Sequence, residues 1–131
     1  MEVNYNENCT ITTKWVSDVF EIEFSGRFTY ENVQRIKDII ADKISESQYY
    51  IIDLSKTNRM DSTGLGLFVA IVRNYLLKNS KLVIVNSNPN MQELFAVSRL
   101  NAYFATVDST EEAMALLYDS EHEVWKRLVR V

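Results

Sequence analysis

Asp53-Leu54-Ser55-Lys56-Thr57-Asn58-Arg59-Met60-Asp61-Ser62-Thr63-Gly64-Leu65-Gly66 is the stretch on which the reading of this chain turns. Tyr49 to Leu54, leading into it, is a nearly continuous apolar run, the pattern of a strand buried on both faces. After it, Thr63 to Lys78 reads as a helix. Leu65, Leu67, Phe68, Val69, Ala70 and Ile71 cover its whole circumference before the first charge, Arg73. Asp61 and Ser62 stand at the helix start, where a side-chain oxygen can accept from an unpaired backbone N–H. A hydroxyl there is also well placed to take on negative charge, because those N–H groups and the helix dipole favour anions. Gly64 and Gly66 each cost a helix about 1 kcal/mol relative to alanine, so their presence points to a close approach to the backbone. One side of this helix must pack on a sheet. The other is either covered or left as an apolar patch for a partner.

Working outward, Thr10 to Trp15 and Val19 to Phe24 read as two strands joined by a turn at Val16-Ser17-Asp18. In the second, Phe20, Ile22 and Phe24 alternate with Val19, Glu21 and Glu23, which predicts an aromatic core face and an acidic solvent face. Gly26 punctuates the chain. Tyr30 to Glu46 has Val33, Ile36, Ile40 and Ile44 at helical spacing, with Thr29 as its expected cap. Lys81 to Val85 is a second buried strand. Asn88-Pro89 opens a helix as cap and first residue, with Met91, Leu94 and Phe95 inward. Tyr103 to Val107 reads as a short last strand. Ser109-Thr110-Glu111-Glu112 is a capping box for a helix with Ala113, Leu116 and Leu117 on one side. Val124, Trp125, Leu128 and Val131 form a helical stripe in the remaining tail. The order is ββαβαβαβα. It predicts an α/β domain with a mixed, mainly parallel sheet of about five strands and about four helices. Residues 1–119 are expected to form that domain and residues 120–131 a helical extension.

With 131 residues, 47% of them apolar and 24% charged, the composition suits one folded domain. A net charge of −4, with no basic stripe, offers nothing to nucleic acid. The lone Cys9 cannot form an internal disulfide and fits a reducing compartment. Neither a signal peptide nor a membrane-length apolar run is present, so a cytoplasmic location and no membrane insertion are expected. Catalytic machinery is poorly represented. The one histidine, His122, lies in the charged tail; Cys9 has no neighbour in sequence to activate it; no metal-ligand spacing occurs; and Gly64-Leu65-Gly66 is too short for a phosphate loop. No enzyme, metal or cofactor is expected.

The run Asp53-Leu54-Ser55 … Met60-Asp61-Ser62-Thr63-Gly64-Leu65-Gly66 resembles the signature of the bacterial STAS-domain anti-sigma factor antagonists. Gly26 after the second strand, Lys81 to Val85, and Pro89 to Leu100 agree with that family, and the likeness spans about residues 8 to 118. The resemblance implies that Ser62, the serine directly after the aspartate, is phosphorylated by a partner that is both anti-sigma factor and serine kinase, with Thr63 a lesser acceptor. The unmodified form would bind that partner and free the sigma factor; a metal-dependent serine phosphatase would restore it. A phosphate adds about −1.5 to −2 charges, costly to desolvate in an apolar contact. On this reading Asp61 positions the hydroxyl, Gly64 and Gly66 permit close approach, Leu65, Val69 and Arg73 lie near the partner, and Asn58 and Arg59 form the rim. Two departures stand out. Where the family often has Gly-Glu-Leu-Asp, this chain has Gly26-Arg27-Phe28-Thr29, so Thr29 replaces a carboxylate and Glu31 is the nearest substitute. Where Ser-Gly-Leu is common, it has Ser98-Arg99-Leu100, which predicts an altered turn. The rival expectations are a STAS accessory subunit of an ABC-type lipid transporter and a component of a multi-STAS sensory assembly. Oligomeric state is left open.

Overall fold

The computed structural model describes residues 8–76 and 80–129. Among them the strands β1 (Cys9–Val16), β2 (Val19–Phe28), β3 (Tyr49–Met60), β4 (Lys81–Val85) and β5 (Ala105–Val107) lie side by side in that order. β1 and β2 are an antiparallel hairpin; every later pairing is parallel. The helices are α1 (Val33–Lys43), α2 (Ser62–Ile71), α3 (Pro89–Val97), α4 (Thr110–Leu117) and the single turn α5 (Val124–Arg127). The fold is the mixed, mainly parallel α/β sheet that the sequence predicts.

The period of two along each strand makes two cores. Phe20, Ile22, Phe24, Tyr50, Ile52, Leu54, Leu82 and Ile84 face Ile36 and Ile40 of α1, Phe68 and Ile71 of α2, and Met91 and Phe95 of α3. Val19, Ile51, Val83, Val85 and Ala105 face Ala113, Leu117 and Val124 of α4 and α5. Strands that advance in one direction through crossovers of constant hand place α1, α2 and α3 on one face. The chain after β5 must then cover the other. The strand-rich middle is accordingly buried on both sides, as the run Tyr49 to Leu54 implies. Phe68 is fully buried, with its ring edge-on to Phe28, Phe95 and Phe104 at centroid distances of 6.1, 6.0 and 6.2 Å.

The structure departs from the sequence reading in several places. The acidic face of β2 is not simply open to water. Glu21 is 7% exposed, because β2 is flanked on both sides and Glu21 lies between Lys14 of β1 and Ile51 of β3. Its charge is met by Lys14 at 3.3 Å. Thr29 does not cap α1: its hydroxyl donates to Glu31 Oε1 at 2.5 Å, a 3₁₀ turn spans Tyr30–Asn32, and α1 begins at Val33. β3 continues six residues past Leu54. That extension pairs only with β2, since the β4 ladder ends at Asp53, so polar residues occupy it without losing backbone partners. α2 opens at Ser62 rather than Thr63 and gives way at Val72–Leu76 to a π-helical turn; Lys78, its expected end, lies outside the described residues. β5 is shorter than expected, with Leu100–Ala102 in a 3₁₀ turn and Phe104 buried before the strand begins. The tail is helical for one turn only. Val124 is buried and Trp125 and Leu128 pack on the same cluster, while Val131 lies outside the described residues. Arg99 keeps the left-handed conformation of the turn, at φ 61°, despite its Cβ.

Candidate functional site

The mouth of α2 is built by one carboxylate and one missing side chain. Asp61 is the N-cap. Its Oδ1 accepts from the Gly64 N–H at 2.7 Å, and its Oδ2 accepts from the Tyr30 N–H at 3.0 Å. The same group therefore caps α2 and ties it to the connection after β2. Gly64 allows that tie, because a Cβ there would sit 1.8 Å from the Phe28 carbonyl oxygen. Partial burial acts to raise the pKa of Asp61. The Gly64 and Tyr30 amides and the nearby Arg59 outweigh it and hold the carboxyl below its usual value. Glu31 is likewise held low, chiefly by the Thr29 hydroxyl, and forms an ion pair with Arg27 at 3.7 Å.

With Asp61 and Gly64 turned inward, Ser62 and Thr63 are left exposed on the first turn. Leu67, Phe68 and Ile71 point to the core. Ser62, Gly66, Val69 and Arg73 recur at helical spacing on the opposite side, with Leu65 beside them. Gly66 and Arg73 are exposed; Leu65 and Val69 are half-buried against the core edge. A Cβ at Gly66 would meet nothing within 4 Å, so this glycine accommodates no neighbour inside the chain. Asn58 and Arg59 are exposed on the end of β3, immediately before the site. Thr29, at 1% exposure, lies beneath the surface.

The structure adds residues that the sequence reading did not place. Tyr30 is 67% exposed at the position whose N–H Asp61 holds. A groove of about 500 Å³ runs between Asn58-Arg59-Met60 and α3, where Leu94 and the 73%-exposed Val97 line it. Val97 stands off the Met91 and Phe95 face of α3, and that phase difference was the available signal. Elsewhere, Cys9 is fully buried, and burial pushes its thiol up to about 11 against the pull of Arg35, a packing role. His122 is exposed, and its Nδ1 accepts from the Val124 N–H at 3.0 Å. Among the described residues no cluster could hold a metal ion, and no helix is long and apolar enough to cross a membrane.

The first turn of α2 thus presents Ser62 and Thr63 beside Leu65, Gly66 and Val69 at one end of an open α/β sheet. A family model described as the STAS domain matches residues 10–114, and the chain belongs to that family. It is similar to an anti-sigma-B factor antagonist of Staphylococcus epidermidis, 25% identical over 105 residues that cover 79% of this chain and 97% of the relative. The fold is shared with an anti-sigma factor antagonist from Mycobacterium paratuberculosis, at a TM-score of 0.72 and 18% identity, over 89% of this chain and all of the other. It is shared too with a sulfate transporter family protein from Wolinella succinogenes, at a TM-score of 0.61 and 18% identity over 79% and 88%.

Proposed function

We propose that the chain is an anti-sigma factor antagonist, a binding regulator and not an enzyme, switched by phosphorylation of Ser62. The observation that carries this reading is the exposed Ser62 hydroxyl at the first position of α2, beside an apolar helix face. The unmodified chain docks this face on an anti-sigma factor with serine kinase activity and so releases the sigma factor. Phosphate on Ser62 puts about two negative charges into the contact, where desolvating them outweighs the apolar gain. The fold itself accepts the charge, since Ser62 points to water and Asp61 keeps the helix start in place. A metal-dependent serine phosphatase resets the switch. Asn58, Arg59, Thr63, Leu65, Gly66, Val69 and Arg73 make the contact surface, with Asp61, Gly64 and Thr29 supporting it from beneath. Incubation with the cognate kinase and labelled ATP tests the assignment. Label should enter the native chain and be absent from Ser62→Ala; equal labelling of the variant refutes it.

A second reading rests on Thr29. It stands where related antagonists often carry a carboxylate, and it is buried with its hydroxyl committed to Glu31. A STAS subunit that clamps a transporter ATPase permanently needs no kinase and no such carboxylate. In that case Ser62→Asp leaves partner binding largely intact, whereas the switch requires its loss.

A further inference from the structure

Asn86 is 3% exposed, yet its side-chain oxygen Oδ1 is buried with no hydrogen-bond partner. A buried acceptor left unpaired costs about 1–3 kcal/mol, so its persistence calls for a donor from outside the chain. The residue lines a cavity of about 210 Å³ at the carboxyl ends of β4 and β5, together with Gln92, Phe95, Asn101, Thr106, Val107 and Asp108. Open α/β sheets place ligands beyond the carboxyl ends of their parallel strands.

Two side-chain donors in this cavity already have partners within the chain. Gln92 Nε2 donates to the Asn86 backbone carbonyl at 2.9 Å and reaches Asp108 Oδ1 at 3.5 Å. The Thr106 hydroxyl donates to Asn101 Oδ1 at 3.4 Å. Acceptor capacity remains at Asn86 Oδ1, the Asp108 carboxylate and the second lone pair of Asn101 Oδ1. Among the described residues no lysine or arginine lines the space, and the buried Phe95 forms part of its wall. The volume is below that of a drug-sized pocket and fits a head group. A ligand for it must bring several N–H donors, carry positive charge and be compact. A guanidinium has all three properties, with donors fanned in a plane to meet acceptors on different sides.

We propose that this cavity is a recognition site for a guanidinium-class cation, independent of the surface around Ser62. The same chemistry is carried by a free small molecule and by an arginine side chain of a partner protein. Titration of the ¹⁵N-labelled chain with methylguanidinium, agmatine and the peptide Gly-Arg-Gly tests it. Tetramethylammonium serves as a cation without donors and acetate as an anion. Saturable shifts are expected at the Asn86 and Gln92 side-chain amides and at the Thr106 and Asp108 backbone for the guanidinium probes alone. Tighter binding of agmatine assigns a free ligand, and tighter binding of the peptide assigns a protein arginine.

Asp108 is exposed, so Asp108→Asn should fold normally and weaken binding about tenfold, while Ser62 labelling by the kinase is unchanged. Asn86→Leu removes the orphaned oxygen at similar volume. It should raise Tm and abolish the shifts. Equal shifts with tetramethylammonium, a response to acetate in place of methylguanidinium, or no saturable shift into the tens of millimolar would overturn the proposal. So would an ordered water on Asn86 Oδ1 that methylguanidinium does not displace.

Discussion

The two glycines of α2 are alike in sequence and opposite in circumstance, and single substitutions should separate them. At Gly64 a methyl group meets the Phe28 carbonyl, a backbone atom that cannot step aside. Gly64→Ala should therefore lower Tm strongly and pull the helix mouth away from the β2–α1 connection, read as loss of amide protection at Tyr30 and Gly64. At Gly66 the added methyl enters open space. Gly66→Ala should stabilise the isolated chain by roughly 1 kcal/mol in denaturant unfolding. A residue that costs stability and meets nothing within the chain is the kind a partner would select, so the same variant should weaken docking. Asp61 gives a pH test. Its carboxyl titrates below the ordinary aspartate value of about 3.9. The folded state thus holds that proton less readily than the unfolded chain. The stability it confers is complete above that value and fades as pH falls through the lower folded one. Asp61→Asn can still cap Gly64 but turns an amide N–H on the Tyr30 N–H, so it should flatten the acid limb by lowering stability at neutral pH towards its acid value.

At the scale of elements, α2 holds the site rigid because its inner face is the centre of the larger core. Phe68→Ala empties a position bounded by Phe28, Phe95 and Phe104, and should cost about 3–5 kcal/mol by chemical denaturation. Most elements were legible in the sequence. Lys81 to Val85, the Asn88-Pro89 start of α3 and the Ser109 capping box stand where periodicity and capping chemistry put them. The misreadings come from partners that capping and periodicity rules do not anticipate, some distant in sequence and one only two residues away. Polar β3 residues 55–60 look like a loop until β2 pairs with them, as when the Thr57 hydroxyl donates to the Phe24 carbonyl at 3.0 Å. Thr29 looks like a cap until Glu31 takes its hydroxyl. Arg99 looks like a turn-breaker, yet the chain around it holds the left-handed conformation.

For the whole molecule, the sheet separates two tasks. One face carries α1 to α3 and fixes the mouth of α2; the other is closed by α4 and the tail through Ala113, Leu117 and Val124. The motif Asp61-Ser62-Thr63-Gly64 marks the proposed site in the sequence, but sequence does not divide its residues by structural role. Sequence assigns Asp61 the task of positioning the hydroxyl and Gly64 that of permitting close approach; the geometry gives both inward work, capping the helix and seating it under Phe28. Tyr30 carries no pattern as a lone exposed aromatic residue, whereas Val97 is marked only by its phase against Met91 and Phe95. On the proposed reading, the same division lets a charge added at Ser62 act on docking without unfolding the domain that bears it.

The direct test is the affinity of the purified chain for the proposed anti-sigma factor kinase, before and after stoichiometric phosphorylation of Ser62, with amide spectra of both forms. The account predicts binding weaker by about a hundredfold or more in the phosphorylated form, with core resonances such as those of Phe68 and Ile52 unmoved. Equal affinity of the two forms, or loss of binding that comes with unfolding of the core, would contradict it.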